Sequence, residues 1–178
     1  MKNLIFTLII TFLAGSAFSQ QVTSLEENVP YSFNGMDYGY YISNESSKEV
    51  KGEEFDRFEV TVYVTNKSGC LKLIPFKNGW VSSEGSGGKD EILVAEYNCT
   101  NATGKRMTAK KGLVGAKPWY SYVKVPDPQA KDKYKMEHAQ VGDAIRNGQT
   151  ITNRIIVIVP KGEKPVFNCR IIDFPDIQ

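Results

Sequence analysis

The sequence predicts an all-β protein: an antiparallel sandwich of about eight strands with at most one short helix. Three observations carry that reading. Phe58-Glu59-Val60-Thr61-Val62-Tyr63-Val64-Thr65 alternates strictly, so Phe58, Val60, Val62 and Val64 share one face. Ile155 to Val159 is a run of five β-branched residues stopped by Pro160, short and apolar on both faces like a buried central strand. Turn signals such as Asn34-Gly35, Asn147-Gly148 and the Pro160–Pro165 corner separate short apolar runs, without strand–helix–strand alternation.

In chain order, Met1-Lys2-Asn3 is a positive start, and Leu4 to Leu13 is apolar apart from Thr7 and Thr11. Ala17 and Ser19 then supply the small residues a signal peptidase reads. Residues 1–19 read as a signal peptide cleaved after Ser19, with Gln20 as second choice. The apolar run falls short of the roughly 20 residues that span a bilayer. Residues 20–178 read as a single domain of about 159 residues, large enough for one hydrophobic core. The expectation is a secreted or periplasmic protein that does not span the membrane.

Val22 to Pro30 is a loose lead-in, and Tyr31 to Ile42 reads as two short strands around Asn34-Gly35. Asn44 to Glu54 is polar and reads as a surface loop. Cys70 to Ile74 is a strand stopped by Pro75. Ser82 to Asp90 is rich in Gly and Ser, but a strand-forming run follows it at Ile92–Tyr97. A phosphate-cradling loop opens a helix instead, so a hairpin loop is expected. Thr100 to Gly115 is glycine-punctuated, with one irregular strand expected around Met107, and Pro118 to Val125 has period two. Lys131 to Ile145 is the helix candidate, through Tyr134, His138, Val141 and Ile145; Gly142 weakens it by about 1 kcal/mol. Thr150 to Phe174 reads as two adjacent strands joined by the Pro160–Pro165 corner. The Phe58–Val64 face is expected to pack against Ile155–Val159 from a facing sheet.

Removal of the leader leaves 21 basic and 20 acidic residues, a net charge of +1. That balance argues against general nucleic-acid binding, which needs an excess of Lys and Arg. Acidic residues concentrate in Glu26–Glu59 and basic ones in Lys105–Lys135. Two opposed, solvated surfaces are the favoured account, and a basic face for an acidic partner is the sharper one. Cys70, Cys99 and Cys169 allow one disulfide and one leftover thiol. Cys99 and Cys169 both fall on inward-facing positions and are the favoured pair; three unpaired core cysteines are the equal alternative.

Catalytic chemistry finds little support. His138 is the single histidine, no Gly-x-Ser-x-Gly elbow occurs, and a lone histidine among lysines reads as solvated surface. Glu53, Glu54, Asp56 and Glu59 are carboxylates of the right type for a hydrolase, but their spacing selects no pair. No Cys-x-x-Cys occurs, so no metal site is expected, and no cofactor motif is seen. Asn44, Asn66, Asn98 and Asn101 each begin an Asn-x-Ser/Thr triplet, read as chance. Binding has the better candidates. Trp119, Tyr120 and Tyr122, with Trp80, could form an aromatic platform for sugar rings, although alternation sends Trp119 to the face opposite Tyr120 and Tyr122. Core packing is the commoner fate of strand aromatics.

The strand Val60-Thr61-Val62-Tyr63-Val64-Thr65-Asn66-Lys67-Ser68 resembles the early strand of small exported immunoglobulin-like domains, a valine ladder ending in Asn. Asn147-Gly148-Gln149-Thr150, Ile155–Val159 and Pro160-Lys161-Gly162 are similar to their late turn, strand and turn. The resemblance covers about half of the chain and implies an immunoglobulin-like sandwich outside the cytoplasm, with no ligand. The Cys…Trp…Cys order of antibody domains is missing. Together these readings point to a non-catalytic exported module whose partner is a protein or glycan at the cell envelope or outside the cell. A carbohydrate-binding protein and a small secreted hydrolase are the alternatives.

Overall fold

The computed structural model describes residues 21–76, 79–82, 92–100, 111–129 and 131–172. The expected leader, the tip of the Gly/Ser-rich loop and the expected strand around Met107 lie outside them. Twelve strands run through the described residues: β1 (Val22–Leu25), β2 (Tyr31–Phe33), β3 (Met36–Val50), β4 (Glu53–Asn66), β5 (Lys72–Pro75), β6 (Val81–Ser82), β7 (Leu93–Thr100), β8 (Gly112–Gly115), β9 (Lys117–Pro126), β10 (Tyr134–Ile145), β11 (Thr150–Pro160) and β12 (Val166–Ile171). Every strand pairing is antiparallel. Eight of the strands form two four-stranded sheets, ordered β1-β12-β7-β8 and β11-β4-β3-β2. Both sheets send side chains into one core. Val60, Val62, Val64, Tyr38, Ile155 and Val157 come from one, and Val94, Tyr97, Val114, Phe167 and Ile171 from the other. That is a sandwich-like architecture.

Where the hydrophobic pattern had period two, the expected strands form. Asn34 and Gly35 both take positive φ (50° and 74°), the two-residue hairpin turn predicted for Asn-Gly. Two larger expectations are corrected. The strands flanking the Pro160–Pro165 corner are not neighbours, because β11 pairs with β4 whereas β12 pairs with β1 and β7. The corner therefore carries the chain from one sheet to the other. The Phe58–Val64 face does not oppose Ile155–Val159 but lies beside it in the same sheet, with Ile155 opposite Val60 and Val157 opposite Phe58. Both rows point inward, toward residues such as Phe167, whose ring lies 4.5 Å from that of Tyr40.

Asn44–Glu54 is not a loop. β3 continues to Val50 and turns through Lys51 and Gly52, at φ 55° and 83°, into β4. A polar sequence can hold a ladder when its backbone bonds close within one hairpin. The helix candidate Lys131–Ile145 is also strand. Its apolar residues occupy a sheet, and Gly142 marks a bulge opposite β9 where a Cβ would collide with the Ile74 carbonyl oxygen. Glycine is there to let β5 approach. Helical spacing was a coincidence of a strand that is buried on both faces at one end and exposed at the other.

β5, β6, β9 and β10 make a third sheet, with β9 on one edge of β10 and β5 and β6 on the other. Asn66, fully buried at the end of β4, anchors it. Its Nδ2 donates to the carbonyls of Ile145 and Cys70, both at 2.8 Å, and its Oδ1 accepts from the Ser68 N–H and hydroxyl. Every side-chain lone pair and proton of Asn66 is thus used within the protein. A second anchor is the buried Asp143, which accepts from the Ile92 N–H at 3.0 Å and from Gln140 Nε2 at 2.9 Å. These bonds hold the base of β10 against the sandwich. Beyond Ala139 the β9–β10 hairpin turns one face to water, while Val125 on its other face stays buried.

Candidate functional site

The outer part of that hairpin is where exposed apolar side chains collect. Tyr122 lies opposite His138, Lys124 opposite Met136 and Tyr120 opposite Gln140. Directly opposed residues of an antiparallel pair share a face. Tyr120, Tyr122, Lys124, Tyr134, Met136 and His138 therefore stand on one side of the hairpin. Tyr122 is 69% exposed, Met136 62%, Tyr134 48% and Tyr120 39%. These four are among ten exposed large hydrophobics in the described residues, and the other six are scattered over other elements.

The face is ordered by contacts among its own rings. His138 stacks on Tyr120 with centroids 5.5 Å apart and planes at 19°, and it meets Tyr122 at 5.2 Å and 56°. The Lys124 ammonium sits 4.3 Å from the centre of the Tyr134 ring, a cation–π contact. Alternation along β9 places Trp119 on the opposite face, half-buried, with the Arg146 guanidinium 5.3 Å from its ring. Trp80 is half-buried and precedes β6, across β10 from β9. Of the four residues expected to form a platform, the structure brings together Tyr120 and Tyr122 and leaves Trp119 and Trp80 elsewhere. His138, Tyr134 and Met136 were missed as binding residues because the stretch was read as helix. Under a period of two, they line up with the tyrosines at once.

The carboxylates considered for hydrolysis lie on β4, in a different sheet, and three of them are structurally engaged. Asp56 accepts from the Gly162 N–H at 2.7 Å; Lys161 lies 3.7 Å from Asp56 and 3.5 Å from Glu54; Glu59 pairs with Arg57 at 2.9 Å. Asp56 and Glu54 thus brace the β11–β12 corner. His138 stands on the third sheet with aromatic neighbours. Among the described residues no cluster of three or more His, Cys, Asp or Glu is arranged to hold a metal. A surface pocket of about 220 Å³ lies at the β1–β2 connection, lined by Ser24, Leu25, Glu26, Val29, Pro30 and Tyr31. It is smaller than the roughly 300–1,000 Å³ usual for small-molecule sites.

One residue of each charged segment, Asp37 and Lys111, is paired with a neighbour from outside that segment. Lys67 pairs with the buried Asp37 at 2.6 Å, and Lys111 pairs with Glu96. Burial pushes the Asp37 carboxyl up, but the Lys67 ammonium and the Ser32 hydroxyl together hold it below the ordinary carboxylate value. Lys105, Arg106 and Lys110 lie outside the described residues.

All three cysteines are free thiols, so the expected Cys99–Cys169 bridge is not formed. Both do face the core on neighbouring strands, but Cys99 is opposite Phe167 and Cys169 opposite Tyr97. The two are thus diagonal. Diagonal positions sit about 7–8 Å apart, beyond the roughly 4.4–6.8 Å that a disulfide tolerates between Cα atoms. Burial pushes the Cys99 thiol up to about 11 and the Cys169 thiol up to about 12. Cys70 is exposed.

Compared with protein-family models, curated proteins and solved structures, the chain matches none. Its function has to be argued from the hairpin. Among the described residues no helix is long and apolar enough to cross a membrane.

Proposed function

We propose that the chain is an exported, non-catalytic interaction module that binds a protein partner through the β9–β10 face. The observation that supports this reading is the concentration of Tyr120, Tyr122, Tyr134 and Met136 on the water-facing side of the outer β9–β10 hairpin. Exposed apolar side chains occur singly on most surfaces, and a contiguous patch marks a contact site. Tyr and Met are enriched in protein interfaces, where flat rings and a pliable thioether bury area at modest entropic cost. The placement outside the cytoplasm rests on the leader of residues 1–19, and the immunoglobulin-like reading rests on two facing antiparallel sheets rather than on strand order.

Carbohydrate binding is the second reading, favoured by the 69% exposure of the Tyr122 ring. Sugar stacking needs open ring faces. Here His138 occupies one face of Tyr120 and tilts against Tyr122, leaving fewer flat surfaces than a sugar platform uses.

A photo-crosslinking side chain at Tyr122, introduced in the protein's native envelope or medium, separates the two. A discrete protein adduct at Tyr122, missing when the probe is moved to Ser47 on the β3–β4 hairpin, is the expected result. No protein adduct, together with glycan-array binding that Tyr122→Ala abolishes, would replace the first reading by the second.

A further inference from the structure

β9 has a partner strand on one side only. Among the described residues it pairs with β10 and with no other strand. The direction of its backbone groups follows from two separate observations. The Asp127 N–H donates to the Lys133 carbonyl at 2.8 Å, extending the β9–β10 ladder, so odd-numbered residues of β9 turn their amides toward β10. Pro118 and Pro126, which have no N–H to give, fall in the even series, where edge strands tolerate proline. The N–H groups of Tyr120, Tyr122 and Lys124 therefore face the open edge. Natural edge strands are blunted by proline and lysine. Here the prolines stand at the two ends and leave the middle available.

We infer that β9 pairs with β9 of a second copy, antiparallel about a two-fold axis through Tyr122. Tyr122 is the midpoint between Pro118 and Pro126, so this register sets each proline against the other copy's other proline, and the ladder ends where the donors end. Between them Tyr120 exchanges both backbone bonds with Lys124 of the second copy, and Tyr122 does so with its own counterpart. The Tyr120–Lys124 pair repeats across the interface the ammonium-over-ring contact that Lys124 makes with Tyr134 inside the hairpin. One step beyond the prolines, Lys117 comes opposite Asp127 of the second copy, at both ends of the interface. A two-fold contact requires a patch that complements itself, and this strand does so in hydrogen bonding, in the position of its prolines and in charge. The inference goes beyond the binding face proposed above: it uses the strand's edge and leaves the Tyr120–His138–Tyr122 side open, doubled in a continuous four-stranded surface.

The test uses the purified protein alone, so its outcome is independent of any partner found by crosslinking at the face. Sedimentation should show a dimer, and Tyr122→Pro should weaken it at least a hundredfold. That substitution removes an outward N–H and leaves the β9–β10 ladder intact, which an unchanged circular dichroism spectrum checks. In a Cys70→Ser background, Tyr122→Cys should cross-link to itself on mild oxidation, because self-opposed residues in a hydrogen-bonded pair lie about 5.5 Å apart. Ser121→Cys, which has no self-opposed position, should not. Lys117→Asp should weaken the dimer about tenfold, and adding Asp127→Lys should restore it. A monomer at every concentration, or a dimer indifferent to Tyr122→Pro and without the Tyr122→Cys cross-link, overturns the inference. So does a monomer whose β9 edge takes up an acidic extended peptide instead.

Discussion

Two long hairpins of this protein each turn a row of residues to water, and the two rows differ in kind. On β3–β4 the residues beyond Ile42 are Ser43, Asn44, Glu45, Ser46, Ser47, Lys48 and Glu49, every one exposed and polar. Lys161 ties that arm to the body through the Ser47 hydroxyl at 3.0 Å. On β9–β10 the corresponding outer part keeps Tyr120, Tyr122, Tyr134 and Met136 in water. The first arm obeys the rule that exposed strand surface should be solvated. The second departs from it, and a departure of that kind is informative because burying those rings would gain about 25 cal/mol per Å² of apolar area. On the proposed function, the difference separates a structural arm from one held ready for contact.

That comparison can be broken or sharpened by measurement. The largest effect belongs to the shared core. Phe167→Ala removes a fully buried ring packed on Tyr40 and should cost about 3–5 kcal/mol in denaturant unfolding. Thiol labelling comes next. At pH 8 Cys70 should alkylate in the folded protein while Cys99 and Cys169, buried with raised thiol pKa, react more than about a hundredfold slower. Mass spectrometry should count one adduct in the native protein and three after denaturation; two fewer adducts in the denatured, unreduced protein would reveal a disulfide. Asn66→Ala strands the Ile145 and Cys70 carbonyls and should cost about 1–3 kcal/mol. If the third sheet depends on this anchor, hydrogen exchange should quicken in β10 more than in β3.

A smaller effect concerns acid. An unfolded Asp titrates near ~3.9, and Asp37 in the folded protein titrates below that. Its contribution to stability is complete above the unfolded value and is lost as pH falls through the folded one. Asp37→Asn should therefore flatten the stability profile below about pH 4 and leave the slope near neutrality unchanged. The smallest expected change is the most discriminating. Tyr122→Ser should alter stability by no more than about 0.5 kcal/mol, as for other surface positions, while lowering partner affinity by about tenfold or more. A Tyr122→Ser protein that unfolds as readily as Phe167→Ala would mean the hairpin face is core after all.

Period-two alternation was enough to read β4 and β9 from the sequence, because a strand with one buried face writes that face into every second residue. β11, read from its β-branched run as a central strand apolar on both faces, instead stands at the edge of its sheet with Ile156 exposed. The Asn34-Gly35 turn was legible for a similar reason: two consecutive positive φ values restrict the residue types that can occupy it. β10 was not legible, since Gly142 answers to the carbonyl of Ile74, a residue far away in the chain, and so looked like a fault in a helix. The polar β3–β4 arm was hidden because its order comes from backbone bonds that leave no hydrophobic trace. For the site, Tyr120 and Tyr122 could be named from the sequence, but their company could not.

The sequence by itself determined the class of fold, the inward rows of Val60, Val62 and Val64, and the inward-facing cysteines, all local consequences of side-chain period. Tertiary structure alone decided that β11 and β12 part into different sheets, that Cys99 and Cys169 meet diagonally, and that His138 stands between two tyrosines. Each of these depends on register between strands distant in the chain, and register is fixed by the summed packing of whole faces, a quantity that no short stretch of residues contains.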